Sequence, residues 1–163
     1  MTNYNKSKET FIEMNYRGFK LFWTDHGLER AAEGGRQYED ERCSRNRAEF
    51  SLRNFISFIS LTKGSLSLIG EEPQFIKFID KLNNTAVVIQ FIPAKKTARI
   101  KTCYKAGEHC GFKEFQKNAV LDSEGFRLYA EADKNEIGEK LCEYNFAEKG
   151  IQPSFFKVGA YMF

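Results

Sequence analysis

Thr85-Ala86-Val87-Val88-Ile89-Gln90-Phe91-Ile92, then Pro93-Ala94-Lys95-Lys96, then Thr97-Ala98-Arg99-Ile100-Lys101-Thr102-Cys103-Tyr104 is the stretch that decides the fold. The first run is almost wholly apolar and rich in β-branched residues. In the second, Ala98, Ile100, Thr102 and Tyr104 alternate with Arg99, Lys101 and Cys103, the period of a strand with one buried face. Two adjacent antiparallel strands of a central sheet are therefore expected.

Working outward toward the N-terminus, Glu72 to Leu82 reads as a helix with Pro73 in its first turn, ended by Asn83-Asn84. The spacing of Leu52, Phe55, Ile56 and Ile59 predicts a long amphipathic helix over Glu39 to Leu61, with a strand over Phe55 to Leu61 as the alternative for its end. Gly18 to Thr24 has strand composition. Asp25 then serves as N-cap of a helix that starts at His26 and stops at Gly34-Gly35. Residues 1–16 are polar and read as a loose lead-in.

Toward the C-terminus, Asn118 to Leu121 and Phe126 to Ala130 predict a hairpin around Asp122-Ser123-Glu124-Gly125. Lys134 to Lys149 reads as a helix with Ile137, Leu141 and Tyr144 inward, stopped by Gly150, and Phe155 to Phe163 as an edge strand. The fold class that follows is α+β, a central antiparallel sheet flanked by helices, with residues 17–163 forming a single domain.

Composition narrows the function classes. The chain has 163 residues, 42% of them hydrophobic and 29% charged, the balance of a folded domain rather than a disordered one. No apolar run approaches the roughly 20 residues that cross a bilayer, and Met1 to Lys6 lacks a secretory apolar segment, so a cytoplasmic protein with no membrane partner is expected. Cys43, Cys103, Cys110 and Cys142 are spaced as free thiols rather than as a disulfide framework. Cys103, His109 and Cys110 lie close in sequence but outside the usual zinc spacing, so a turn is expected there, with no metal and no cofactor. There is no phosphate-cradling lysine loop, dinucleotide fingerprint or H-E-x-x-H element.

The net charge of +3 does not by itself indicate nucleic acid, but its distribution is uneven. Arg30, Arg36, Arg42, Arg45, Arg47 and Arg53 follow one another with no lysine among them. Arginine suits bidentate phosphate contact, which makes Arg36, Arg42, Arg45, Arg47 and Arg53 candidates for a nucleic-acid-facing surface. The competing reading is a solvated face, since Glu33, Glu39, Asp40, Glu41 and Glu49 are interleaved and can pair locally.

The chemistry-bearing segment is Asp25-His26-Gly27-Leu28-Glu29-Arg30-Ala31-Ala32-Glu33, in which His26, Arg30 and Glu33 share one helix face. Together with the late strand ending Thr102-Cys103-Tyr104-Lys105, it resembles the small ribonuclease-toxin fold group that includes barnase, EndoU, colicin nuclease domains and RelE, and most of all RelE-like domains. The resemblance covers residues 18–105 and rests on short motifs. It implies metal-independent endoribonuclease activity on RNA, with His26, Arg30, Thr102 and Tyr104 as catalytic residues and a cognate inhibitor protein as a further partner.

A second class of function fits the same composition. A phage or mobile-element protein that binds and inhibits a host nucleoprotein complex would need no catalytic motif, only a contact surface such as the arginine segment or the Phe-rich C-terminus. A plain RNA-binding domain is the third reading.

Overall fold

A computed structural model of the chain describes residues 10–12, 14, 18–32, 44–62, 64–106, 117–131 and 138–157. The elements run β1 (Thr10–Ile12), β2 (Lys20–Trp23), α1 (Asp25–Ala32), α2 (Arg45–Leu61), α3 (Ser65–Ile69), β3 (Gln74–Asp80), β4 (Thr85–Ile92), β5 (Thr97–Lys105), β6 (Lys117–Asp122), β7 (Gly125–Ala130), β8 (Lys140–Asn145) and α4 (Phe146–Lys149). All the strands join one eight-stranded sheet in the order β1-β2-β5-β4-β3-β6-β7-β8. The α+β expectation holds, and the sheet is mixed: β2 runs parallel to β5 and β3 parallel to β6, while the other neighbours are antiparallel.

The quoted stretch forms β4 and β5, joined through a 3-10 turn at Pro93–Lys95. Three expectations fail around this centre. Gln74 to Asp80, expected as helix, is a strand paired on both sides, with Phe78 opposite both Val87 and Ala119. From Ile76 to Asp80 this strand is buried on both faces, so its apolar residues need no alternation and imitate a helical spacing. Lys140 to Asn145, also expected as helix, pairs with β7, and only Phe146–Lys149 is helical, capped by Asn145. Of the expected C-terminal edge strand over Phe155 to Phe163, Phe155 and Phe156 lie instead in a 3-10 turn at Pro153–Phe156, where Phe156 stacks on Phe146; residues 158–163 lie outside the described part. Within the expected lead-in, Thr10–Ile12 forms β1, and Ile12 is in the core.

Helix α2 packs across one face of the sheet. Ser44 caps its N-terminus by accepting from the Arg47 amide at 3.1 Å, and Leu52, Phe55, Ile56 and Phe58 face Ile76, Phe78, Val87, Ile89 and Phe91 within one buried cluster. Phe55 meets Phe78 and Phe91 edge-on, each with centroids 5.5 Å apart, and Phe58 stacks on Phe126 at 5.1 Å. Burial of each such ring contributes about 1.5–3 kcal/mol, and favourable ring geometry adds about 0.5–1.5 kcal/mol per pair.

The only carboxylate in this face's buried core among the described residues is Asp80, and it is surrounded by donors. Ser51 Oγ, Asn54 Nδ2, Asn83 Nδ2 and the Asn83 amide all donate to it at 2.8–3.1 Å. Asn54 and Asn83 also donate to the Phe156 carbonyl at 3.0 and 2.8 Å, which ties α2, β3 and the C-terminal turn together. Burial pushes the Asp80 carboxyl above its ordinary value, against the pull of those hydrogen bonds.

Candidate functional site

Two of the side chains expected to carry function, Thr102 and Tyr104, stand on the opposite face of the sheet, and a β-bulge puts them there. Val88 pairs with Thr102 but Ile89 pairs with Ile100, so Lys101 is an extra residue with no partner on β4. The expected single face for Ala98, Ile100, Thr102 and Tyr104 is therefore broken. Ala98, Ile100 and Cys103 enter the α2-facing core, whereas Arg99, Thr102 and Tyr104 stand on the far face and are partly exposed.

His26 approaches from α1, which packs against β5. The helix starts one residue earlier than expected: Thr24 is the cap, its Oγ accepting from the Gly27 amide at 3.0 Å and donating to the Ile100 carbonyl at 3.0 Å. Gly27 is the contact point, since a Cβ there would sit 2.5 Å from the Ile100 oxygen. Successive helical residues are about 100° apart, so Leu28 and His26 flank Gly27 on opposite sides. Leu28 packs against the core, and His26 is exposed. Residue 30 belongs to the next turn of α1; its side chain is outside the described part, as are Arg36 and Arg42.

The remaining arginines divide. Arg45 Nε donates to Glu49 at 2.8 Å and its guanidinium lies 6.0 Å from the Trp23 ring, whose Nε1 donates to the same Glu49 at 2.7 Å. Local pairing, one of the two readings of the arginine-rich segment, is what Arg45 displays. Arg53 is exposed and Arg47 partly so.

Two far-face residues were not legible as site residues in the sequence. Register aligns Thr102, Val88, Lys77, Asn118 and Tyr129 in one row across five strands. Lys77 and Asn118, at its centre, are both 0% exposed. The Lys77 ammonium reaches the Tyr104 ring, 5.7 Å from its centroid, and neither polar atom of the Asn118 side chain has a hydrogen-bond partner. A signal for Lys77 does exist: it is a lysine inside the apolar run Phe75-Ile76-Lys77-Phe78-Ile79. Read as a helix, that run hides it, because a lysine on a helix is ordinarily solvated.

At the other end of this face, Arg127 donates to the Tyr129 hydroxyl at 2.9 Å and forms a forked pair with Asp122. Burial raises the Asp122 carboxyl, but the Arg127 and Glu124 hydrogen bonds and the charges of Arg127 and Lys81 together hold it below its ordinary value. Arg127 is held firmly protonated by the same pair.

Cys103 and Cys142 are free thiols, and burial pushes the Cys142 thiol up, away from nucleophilic use. Cys43, His109 and Cys110 lie outside the described residues, among which no three potential ligands cluster for a metal. No helix among the described residues is long and apolar enough to cross a membrane. Compared with known protein families, with curated proteins and with solved structures, the chain matches none.

Proposed function

We propose that this chain is a metal-independent endoribonuclease of toxin type, acting on RNA phosphodiesters in the cytoplasm. The observation that supports this reading is the seating of α1, which carries exposed His26, on β5, the strand that carries Thr102 and Tyr104. In-line RNA cleavage needs a base, an acid and a cation near the phosphorus. His26 takes the proton of a ribose 2′-hydroxyl as the 2′-oxygen bonds to phosphorus. The bond from phosphorus to the 5′-oxygen breaks, and Tyr104 supplies that oxygen with a proton. The products are a 2′,3′-cyclic phosphate and a 5′-hydroxyl. Arg99, on the same face, and Arg30 supply positive charge to the phosphate, with Thr102 as a further hydrogen-bond donor.

The test is cleavage of labelled RNA by the purified chain in the presence of a chelator. His26→Ala is expected to lower the rate about 10²–10⁴-fold, the usual contribution of a positioned acid or base. An intact substrate with the wild-type chain, or undiminished cleavage by His26→Ala, overturns the reading.

A second reading has one observation in its favour. A groove of about 590 Å³, lined by residues including Leu66, Ser67, Glu71, Pro93 and Ala94, lies near exposed Leu61 and Leu68 on the α2–α3 corner. Apolar exposure of this kind fits a non-catalytic protein that binds and inhibits a host nucleoprotein complex. There the expected result is no RNA cleavage and a stoichiometric partner lost on Leu66→Asp.

A further inference from the structure

Lys77 has no part in the cleavage scheme above, yet it lies fully buried on the far face. A lysine at 0% exposure is rare unless something uses its charge. Its row and the next contain Val88, Ala86, Ile79 and Val120, and its direct partner on β6 is Asn118, buried with both amide atoms unbonded. Stability alone would fill such a row with apolar side chains. Lys77 stands on β3 and Tyr104 on β5, with β4 between them, and the Lys77 ammonium lies 5.7 Å from the centroid of the Tyr104 ring. Tyr104 is partly exposed, so a buried lysine can act at the surface through it.

We propose that Lys77 is a positioning residue: anchored on β3, it fixes the Tyr104 ring and sets an ammonium against it, which eases release of the phenolic proton to the departing 5′-oxygen. This rests on the RNA-cleavage reading. Among the described residues, the other charged or titratable groups of the elements packed against Tyr104 are Arg99, Lys101 and Lys105 of β5 itself and Asp25 and His26 of α1, which packs on β5, while β4 pairs Tyr104 with the uncharged Ala86.

The experiment combines the phenolate absorbance of the full chain, titrated with base, with RNA-cleavage kinetics. Subtracting the Tyr104→Phe titration from that of the wild type isolates Tyr104. Lys77→Met is expected to move that ionisation to higher pH and to lower kcat about 10–100-fold with KM little changed. A Lys77→Met chain that folds, as judged by circular dichroism, but leaves the Tyr104 ionisation and kcat where they were overturns the proposal. If Lys77→Met does not fold, the wild-type difference titration decides: ionisation below that of a free tyrosine supports the proposal, and ionisation at or above it overturns it. The two readings fail separately. A chain that cleaves no RNA but shows the lowered ionisation overturns the cleavage reading, whereas one that cleaves RNA with an unshifted phenol overturns the role of Lys77.

Discussion

The face of the sheet under α2 and the face opposite it are built from the same strands, yet they treat polar groups in opposite ways. Under α2, Phe55, Phe58, Phe78, Phe91 and Phe126 interlock, and Asp80, the one buried carboxylate among the described residues there, receives four hydrogen bonds. On the far face Lys77 and Asn118 are as deeply buried, and the Asn118 side chain has no hydrogen-bond partner. The carboxylate on one side is fully paired, whereas the amide on the other is not. The contrast locates the departure from stability at the centre of the sheet, in the row that includes Thr102 and lies beside that of Tyr104, and makes that row the place to look for function.

The contrast gives way first at the aromatic cluster under α2. Phe126→Ala removes a ring that touches Phe58, Phe78, Phe146 and Phe156, and chemical denaturation should register a loss of about 3–5 kcal/mol. On the far face, Asn118→Leu should run the other way and raise stability by about 1–2 kcal/mol, because it replaces two unbonded buried polar atoms with apolar ones of similar size. A loss of stability in Asn118→Leu would place the two faces on the same footing.

The smallest expected effect distinguishes the faces by pH. Asp80 is held above its ordinary value of 3.8, so its contribution is fully present below that value and is lost as pH rises through the folded value. Asp122 is held below the same value, so its contribution is present above 3.8 and is lost as pH falls through the folded value. Asp122→Asn should therefore flatten the acid-side loss of stability, at a cost under about 1 kcal/mol near neutrality given the partial exposure of the pair. Asp80→Asn should remove the opposing acid-side gain. Melting temperatures across acid pH check both slopes, and parallel slopes in the two variants would erase the distinction.

The legible part of the fold was the part whose pattern is local. β4, β5 and the β6–β7 hairpin announce themselves through β-branched runs and turn residues, and α2 through the spacing of Leu52, Phe55, Ile56 and Ile59. β3 and β8 were not legible because their strand character comes from neighbours distant in sequence: β3 lies between β4 and β6, and β8 borrows its register from β7. The site was half legible for the same reason. His26, Thr102 and Tyr104 carry chemistry visible in their residue types, whereas Lys77 and Asn118 acquire significance only when a parallel pairing sets them side by side. Gly27, which as a sequence feature looks like a weak point in a short helix, is explained by the Ile100 oxygen that leaves no room for a Cβ.

The extra residue at Lys101 has a consequence for how such a protein can change. Without Lys101, Ile100 and Thr102 would be adjacent and would still face Ile89 and Val88, so Cys103 would stay inside and Tyr104 outside on a regular strand. The bulge lets β5 carry one residue more than its neighbour while both ends of the strand keep their sides. It is a place where a change of length leaves interior and exterior as they are.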